Sequence, residues 1–289
     1  MRAEQVQAFI DVTEHGSFAA AARHTGLKRS TLSAAVNALE DSLGVALFER
    51  SGNSLTLTAV GDSVLPDCYR LLTSASRIKK HCHQHLQGVE SQLGIARDDA
   101  LPEVFWRQVM HDLKQQFPLT AISVYLVPPQ EHTQFVQRQT VDIAFGLYTA
   151  EGIDTNAANL APVSMRLVAA PHHPLSRLPS VNRDDLAQYT QVCLTYVQDD
   201  KLISEALFSG NYLGLTMFEV IRDAVINATG WALLPYPLVK GALEAGTLCT
   251  LNHDLVLDSH YYRYVESDNR GVVATALLNK VAHFLASQN

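Results

Sequence analysis

The sequence is short of long apolar runs. No stretch of the 289 residues approaches the roughly 18 uncharged apolar positions that a membrane-spanning helix needs. Its first residues, MRAEQVQAFID, set Glu4 and Asp11 around a brief apolar pattern, too short for the core of a secretory signal, so the chain is expected to be cytoplasmic. Cysteine is scarce. Cys68, Cys82, Cys193 and Cys249 are scattered with no CxxC pair, which excludes a disulfide framework and leaves buried thiols as the expectation. Catalytic signatures are missing as well. There is no GxSxG to flank a nucleophile, no GxxxxGK[ST] or GxGxxG to cradle phosphates, and His172-His173 stands among scattered serines without making a triad. Neither an enzyme nor a cofactor or metal is expected.

The net charge of −7 is unevenly placed. Residues 1–58 hold five Lys/Arg against six Asp/Glu, whereas the remainder holds 17 against 23, so the acidity sits behind residue 58. Three of the five front-end cations, Arg23, Lys28 and Arg29, lie within the stretch GSFAAAARHTGLKRSTLSAAVNALE. Attraction to a polyanion is local, within a Debye length of about 8 Å at physiological salt, so an acidic chain is compatible with DNA.

That stretch reads as two helices around a tight turn. Val6, Phe9, Ile10 and Thr13 recur at helical spacing and predict a first helix ending near His15-Gly16. Ser17 is suited to cap a second, alanine-rich helix over 18–24, and Gly26 is free to take the positive φ of the turn. Leu32, Val36 and Leu39 form the buried stripe of a third helix, whose other face carries Arg29, Ser30, Ser33, Ala34 and Asn37. A helix-turn-helix places such a third helix in the major groove by its N-terminal end. Hydroxyls and amides there reach base edges or phosphates, and Arg29 suits either a guanine or a phosphate. The spacing alone also fits a three-helix packing unit with a solvated face. LGVALFERSGNSLTLTAVG then supplies a hairpin signal, with Arg50 and the Gly52-Asn53 turn between two short strands, as in the wing of a winged helix.

The ordered series Phe9, Gly16-Ser17-Phe18, Ala21-Ala22, Leu27, Ser33, Leu39-Glu40, Leu43-Gly44, Leu47-Phe48-Glu49-Arg50, Leu57-Thr58 and Gly61 closely resembles the LysR-type transcriptional regulators. That resemblance implies a winged-helix DNA binder with a long linker helix, a two-lobed effector domain and assembly as a homotetramer. The chain departs from the usual pattern at the reading helix. Lys28-Arg29-Ser30 stands where the family commonly has Ser/Thr-Gln-Pro, and Ala34-Ala35 follows Ser33 in place of Arg-Gln. Its base preference therefore cannot be borrowed from relatives. The DNA-contacting set expected is Lys28, Arg29, Ser30, Thr31, Ser33, Ala34, Asn37, Arg50 and Asn53.

From Thr58 one long helix is expected, with Val64, Cys68, Leu71, Ala75, Ile78 and Cys82 at alternating four- and three-residue steps. Such a seam calls for a partner helix and hence a homodimer; a monomer would have to bury the stripe on its own body. Pro66 falls in its early turns without being read as a break. His81 and His85 lie one turn apart, a spacing that suits a metal, but Lys79-Lys80 would repel a cation, and a solvated face is the expectation. Cys68 and Cys82 are expected as small apolar fillers.

Behind residue 88, strands and helices alternate as in βαβ units: a first strand starting in SQLGIARDD, strands over 121–127 and 142–146, and helices over 102–117 and 131–140. A second set follows, with strands at 166–170, 191–196 and 231–234, a helix over 181–187, a variable helical region, a strand at 261–265 and a final helix over 272–286. The stretches VDIAFG, HPL and GWALLP resemble those of LysR-like effector domains, which share the architecture of periplasmic solute-binding proteins. Ligands of such folds bind near strand C-termini and helix N-termini. The effector-contacting set expected is therefore Arg97, Asp98, Asp99, Ala100, Gly146, Leu147, Tyr148, Thr195, Tyr196 and Pro235. Helix N-termini favour anions, and the resemblance implies that many effectors are small carboxylates, whereas Asp98-Asp99 would repel an acid, so the ligand stays unassigned. Cys193, with Cys249 far along the chain, is expected as a structural thiol.

The fold class expected is α/β with an all-α-dominated front: a winged helix-turn-helix over 1–58, a linker helix over 59–88 and a two-lobed effector domain over 89–289. Lobe I would take 89–160 and 266–289, and lobe II 161–265. The reading that follows is a DNA-binding regulator with double-stranded DNA, a small effector and its own copies as partners, and no membrane. The rival is a two-lobed solute-binding or catalytic protein whose front helices serve assembly.

Overall fold

The computed structural model describes residues 1–51, 54–150, 157–198, 200–204, 207–267 and 270–288. The chain divides into two compact units, Met1–Gln87 and Gly88–Asn289.

The first unit holds α1 (Ala3–His15), α2 (Phe18–Thr25), α3 (Arg29–Leu43), the hairpin β1 (Phe48–Ser51) and β2 (Ser54–Leu57), and the long α4 (Ala59–Leu86). Ser17 caps α2 as its spacing suggested, its hydroxyl accepting from the Ala20 amide at 3.1 Å. Gly26 ends α2 in the left-handed region at φ 71°, which a side chain would disfavour. Val6, Phe9, Val12, Ala21, Leu32, Val36, Leu39 and Leu47 make a closed core, each at 1% exposure or less. The Phe48 ring joins it from the hairpin, with its centroid 5.3 Å from Phe9. Glu40 fixes where the hairpin begins: its Oε1 accepts from the amides of Leu47 at 2.7 Å and Phe48 at 3.1 Å. Thr58 fixes where it ends, donating to the Ala46 carbonyl and accepting from the Gly61 amide at the start of α4.

The α4 seam divides in two. Val64, Cys68 and Leu71, with Leu65 and Leu72, pack on the winged-helix core, so the early half is covered by its own body. Farther along, Ile78 is 64% and Leu86 84% exposed. The helix runs through Pro66 unbroken. Only Cys193 of the four free cysteines is buried; Cys68 and Cys249 are partly covered and Cys82 is exposed, which corrects the expectation of four buried thiols. Cys82 lies beyond the covered half of the seam. The side chains of His81 and His85 lie outside the described residues.

The second unit continues with β3 (Gln92–Arg97), α5 (Glu103–Gln116), β4 (Ala121–Leu126), α6 (His132–Gln137), β5 (Ile143–Thr149), β6 (Ala158–Val163), β7 (Met165–Ala169), α7 (Arg183–Ala187) and β8 (Gln191–Gln198). It ends with β9 (Lys201–Ser204), β10 (Tyr212–Leu215), α8 (Phe218–Ile226), β11 (Trp231–Pro235), α9 (Tyr236–Glu244), β12 (Cys249–Thr250), β13 (His260–Glu266) and α10 (Val272–Ala286). Two sheets result, ordered β4-β3-β5-β13-β6 and β10-β8-β11-β7-β12, with β9 paired to β8. In each, three parallel strands are followed by two antiparallel pairings, made by the reversed strand β13 in the first and β7 in the second. The expected variable helical region is instead the β8–β9 hairpin, β10 and α8.

The sheet order moves the lobe boundaries. β6 and β13 both belong to the first sheet, so the chain crosses at Ser164 and again between β12 and β13, not at Leu160 and Val265. The antiparallel return of β13 onto β5, from His260 opposite Thr149 to Glu266 opposite Ile143, is the cause. One apolar core runs through both lobes, from Ile95, Phe145 and Tyr262 in the first to Val192, Ile221 and Leu234 in the second. No helix among the described residues is long and apolar enough to cross a membrane.

Candidate functional site

In the first unit, α3 begins at an exposed edge. Lys28 stands at its N-cap with extended backbone, makes no side-chain capping bond, and no carboxylate lies in the first turn. The partial positive charge of the helix start is thus left unneutralised by the helix itself. Lys28, Arg29, Ser30, Thr31, Ala34 and Asn37 are exposed and Ser33 is half-buried, while Leu32, Val36 and Leu39 turn into the core. Cations, hydroxyls and an amide therefore share one solvent-facing stretch of a helix anchored from behind. Arg50 lies in β1 opposite Leu55. Its side chain, and Asn53 altogether, fall outside the described residues.

In the second unit, a cavity of about 660 Å³ lies between the two lobes. Of the residues expected there, Asp98, Asp99, Leu147, Tyr148 and Tyr196 line it. Arg97, Ala100, Gly146, Thr195 and Pro235 do not, for separate reasons. Arg97 is folded inward, its guanidinium paired with Glu103, donating to the Asp98 carbonyl and lying 5.2 Å from the Trp106 ring centroid. Ala100 is fully buried. Gly146 backs onto the buried His132 ring, where a Cβ would come within 2.7 Å of Cε1. Thr195 shares a hydrogen bond with Ser204 across the β8–β9 hairpin, and Pro235 is spent in the pairing of β11 with Met165.

Of the two aspartates, Asp98 is held within its own lobe and Asp99 reaches across to the other. Asp98 accepts from the Leu147 amide at 2.7 Å, the Ala100 amide at 3.2 Å and the Tyr262 hydroxyl at 3.2 Å. Burial nevertheless outweighs these donors and pushes its carboxyl up to about 7. Beside it, the Asp99 carboxylate of lobe I accepts from the Glu219 amide at 2.9 Å, and from that of Phe218, at the start of α8 in lobe II. Burial raises its pKa too. Glu219 returns the arrangement, its Oε1 accepting from the Glu103 amide at the start of α5 at 3.1 Å. Each lobe thus supplies the carboxylate that caps a helix of the other.

Several lining residues were not anticipated: 126–130, Thr149, Met165, 191–194, 216–218, Leu233 and His260. The loops after β4 and β10 follow parallel strands and obey the same rule that singled out Asp98. Met165 and His260 have another origin. They begin β7 and β13, antiparallel strands whose N-termini arrive at the edge where the parallel strands end, opposite Pro235 and Thr149. Among the described residues no group of three or more His, Cys, Asp or Glu could hold a metal.

Comparison with known proteins agrees with this geometry. Residues 3–62 match the family model described as a bacterial regulatory helix-turn-helix protein of the lysR family, and residues 86–285 match the LysR substrate binding domain. The HTH-type transcriptional regulator AceR of Acinetobacter baumannii is 27% identical, over 82% of this chain and 80% of its own. The HTH-type transcriptional activator CmpR of Synechocystis is 24% identical over 95% of this chain and 93% of its own. Among solved structures, CbnR, a LysR family transcriptional regulator, superposes with a TM-score of 0.58 at 16% identity, covering 97% of this chain and all of its own. A cysteine mutant of OxyR from Corynebacterium glutamicum gives a TM-score of 0.59 at 17% identity, over 99% and 94%. With both family models together spanning nearly its whole length, the chain belongs to the LysR family of DNA-binding transcriptional regulators.

Proposed function

We propose that this LysR-type regulator reads double-stranded DNA with the start of α3 and answers to a small molecule held in the interlobe cleft. Lys28, Arg29, Ser30, Thr31, Ser33, Ala34 and Asn37 are the groove-facing residues, with Arg50 and Asn53 of the wing on the flanking backbone or minor groove. The observation that carries this is the uncapped, acid-free and cation-bearing N-terminus of α3 on a closed core. A helix start of that kind suits a phosphate, and side chains one turn farther in suit base edges. A role on DNA supports a cytoplasmic location.

For the effector, Asp98, Asp99, Leu147, Tyr148 and Tyr196 are the contacts we assign from the original set, joined by the loops 126–130 and 216–218. A ligand that favours one arrangement of the lobes shifts the population of that arrangement, while equal affinity for both shifts nothing. The exposed far half of α4, with Ile78 and Leu86, supports a homodimer through paired linker helices. β4 and β10 are sheet edges that expose Val124, Tyr125, Tyr212 and Leu213, a second self-association surface that supports a homotetramer.

A gel shift with the DNA upstream of the protein's own gene tests the interface. The expected result is a salt-sensitive complex that Arg29→Ala and Arg50→Ala together weaken by about a hundredfold. An unchanged shift with the double variant would defeat the assignment.

A further inference from the structure

The ionisable groups in the lining of the interlobe cleft are mostly acidic. Among its described lining residues there is no lysine and no arginine, while Asp98 and Asp99 both reach it. The arginines beside lining residues are engaged within the protein: Arg97 with Glu103, Arg222 with Glu219 and Asp223, and buried Arg263 against the Tyr148 and Tyr261 rings. His260 is the one basic ring of the lining, and its Nδ1 is hydrogen-bonded to the Asp258 carbonyl at 2.8 Å.

The helix starts are no better placed to take an anion. Those of α8 and α5 meet at the lobe junction, and both are filled by the protein's own carboxylates, Asp99 on the Phe218 and Glu219 amides and Glu219 on the Glu103 amide. An acidic ligand entering here would lose its hydration and meet the Asp99 carboxylate with no lysine or arginine in the lining to balance its charge. Leu147, Met165 and Leu233 stand in the wall beside Tyr148, Tyr196 and Phe218, with the uncharged Gln130, Thr149, Gln191 and Thr216 between them. Aromatic faces attract a cation, and nearby carboxylates add to that attraction. The volume of about 660 Å³ is that of a site for a small organic molecule.

We propose that the effector of this cleft is a small organic cation, an amine or amidine carried on an apolar or aromatic body, and not a carboxylic acid. This rests on the reading of the cleft as the effector site. Asp99 supplies the charge that selects for the cation, and Tyr196 and Phe218 receive its body.

The test uses the full-length protein and three fragment pools matched in size and differing in one group: amines, the corresponding alcohols and the corresponding acids. The triple 2-phenylethylamine, 2-phenylethanol and 3-phenylpropionate is one such set. Hits are found by ligand-observed NMR and their Kd values measured by calorimetry. Amines are expected to dominate, each binding about tenfold tighter than its alcohol, with the acids undetectable. In Asp99→Asn the side-chain oxygen still caps α8 but the charge is gone, so the amine-to-alcohol ratio should fall to about one. Acids binding as well as amines, or alcohols equal to amines, overturns the cationic class on the wild-type protein alone, whether or not the variant folds. A preference that survives Asp99→Asn in folded protein removes Asp99 as its source and overturns the proposal as stated. No hit from any pool defeats the cleft reading underneath, an outcome distinct from a wrong charge class.

Discussion

At the start of α3 the first turn holds no acid, the N-cap lysine makes no side-chain bond, and the surrounding residues face solvent. At the start of α8 the same kind of amide group is bound by Asp99, and the site is closed inside the effector domain. Both helices present the same partial positive charge. One leaves it available to an external anion, and the other uses it internally to hold two lobes together. A helix N-terminus is therefore not a binding site in itself. What occupies it, and what charge lies beside it, decides whether it takes a phosphate, a ligand or a neighbouring carboxylate.

The comparison breaks most severely if the open terminus is filled. Placing acids at it, with Lys28→Glu and Arg29→Glu together, should reduce DNA affinity by several hundredfold, since two attractions become two repulsions. Fluorescence anisotropy on upstream DNA measures this, and an unchanged melting temperature shows that the fold survives. The closed terminus responds to pH through its neighbour. Asp98 titrates near 7 in the folded protein against 3.8 for a free side chain, so its contribution to stability is complete at or below pH 3.8. That contribution is lost as pH rises toward 7 and changes little above it. Urea unfolding of the effector domain across this range should show the decline, and a decline absent from the wild type would contradict the buried, protonated carboxyl.

Removing the cap itself is a smaller change. Asp99→Ala strips α8 of its acceptor and should cost about 1–2 kcal/mol of effector-domain stability in the same measurement. Smallest is a change behind the open terminus. Glu40→Ala frees the Leu47 and Phe48 amides that position the hairpin, and should cost about 1 kcal/mol while weakening DNA binding by only a few-fold. If DNA binding is wholly insensitive to Glu40→Ala, the wing has no part in the interface.

How much of this was legible in the sequence follows from which forces are local. Ser17 at an N-cap, Gly26 at a positive φ and the stripe Leu32-Val36-Leu39 are set by neighbours a few residues away, and each stands where its spacing placed it. The same holds for the last helix, Val272–Ala286. The lobe crossings were misplaced because strand direction is a long-range property. Nothing near Tyr261 says that β13 returns antiparallel between β5 and β6. Met165 and His260 went unnoticed in the cleft for that reason, since a rule built on the C-termini of parallel strands passes over strands that arrive from the other side. Thr195 was placed at a strand end, but the hairpin partner Ser204 that occupies its hydroxyl belongs to a stretch that read as helical. The acidity of Asp98-Asp99 was plain, yet the cross-lobe capping was not, because Glu219 lies 120 residues from Asp99 in the chain.

The central claim is that the open start of α3 holds DNA through its own charge. The salt dependence of affinity on upstream DNA, measured for the wild type and for Arg29→Ala, tests it most directly. If Arg29 holds a phosphate, the slope of log affinity against log salt should fall in magnitude by about one and affinity by about tenfold. If it reads a guanine, the loss should vanish on DNA altered at a single base pair. A variant that keeps both the wild-type slope and the wild-type affinity on every sequence would contradict the account.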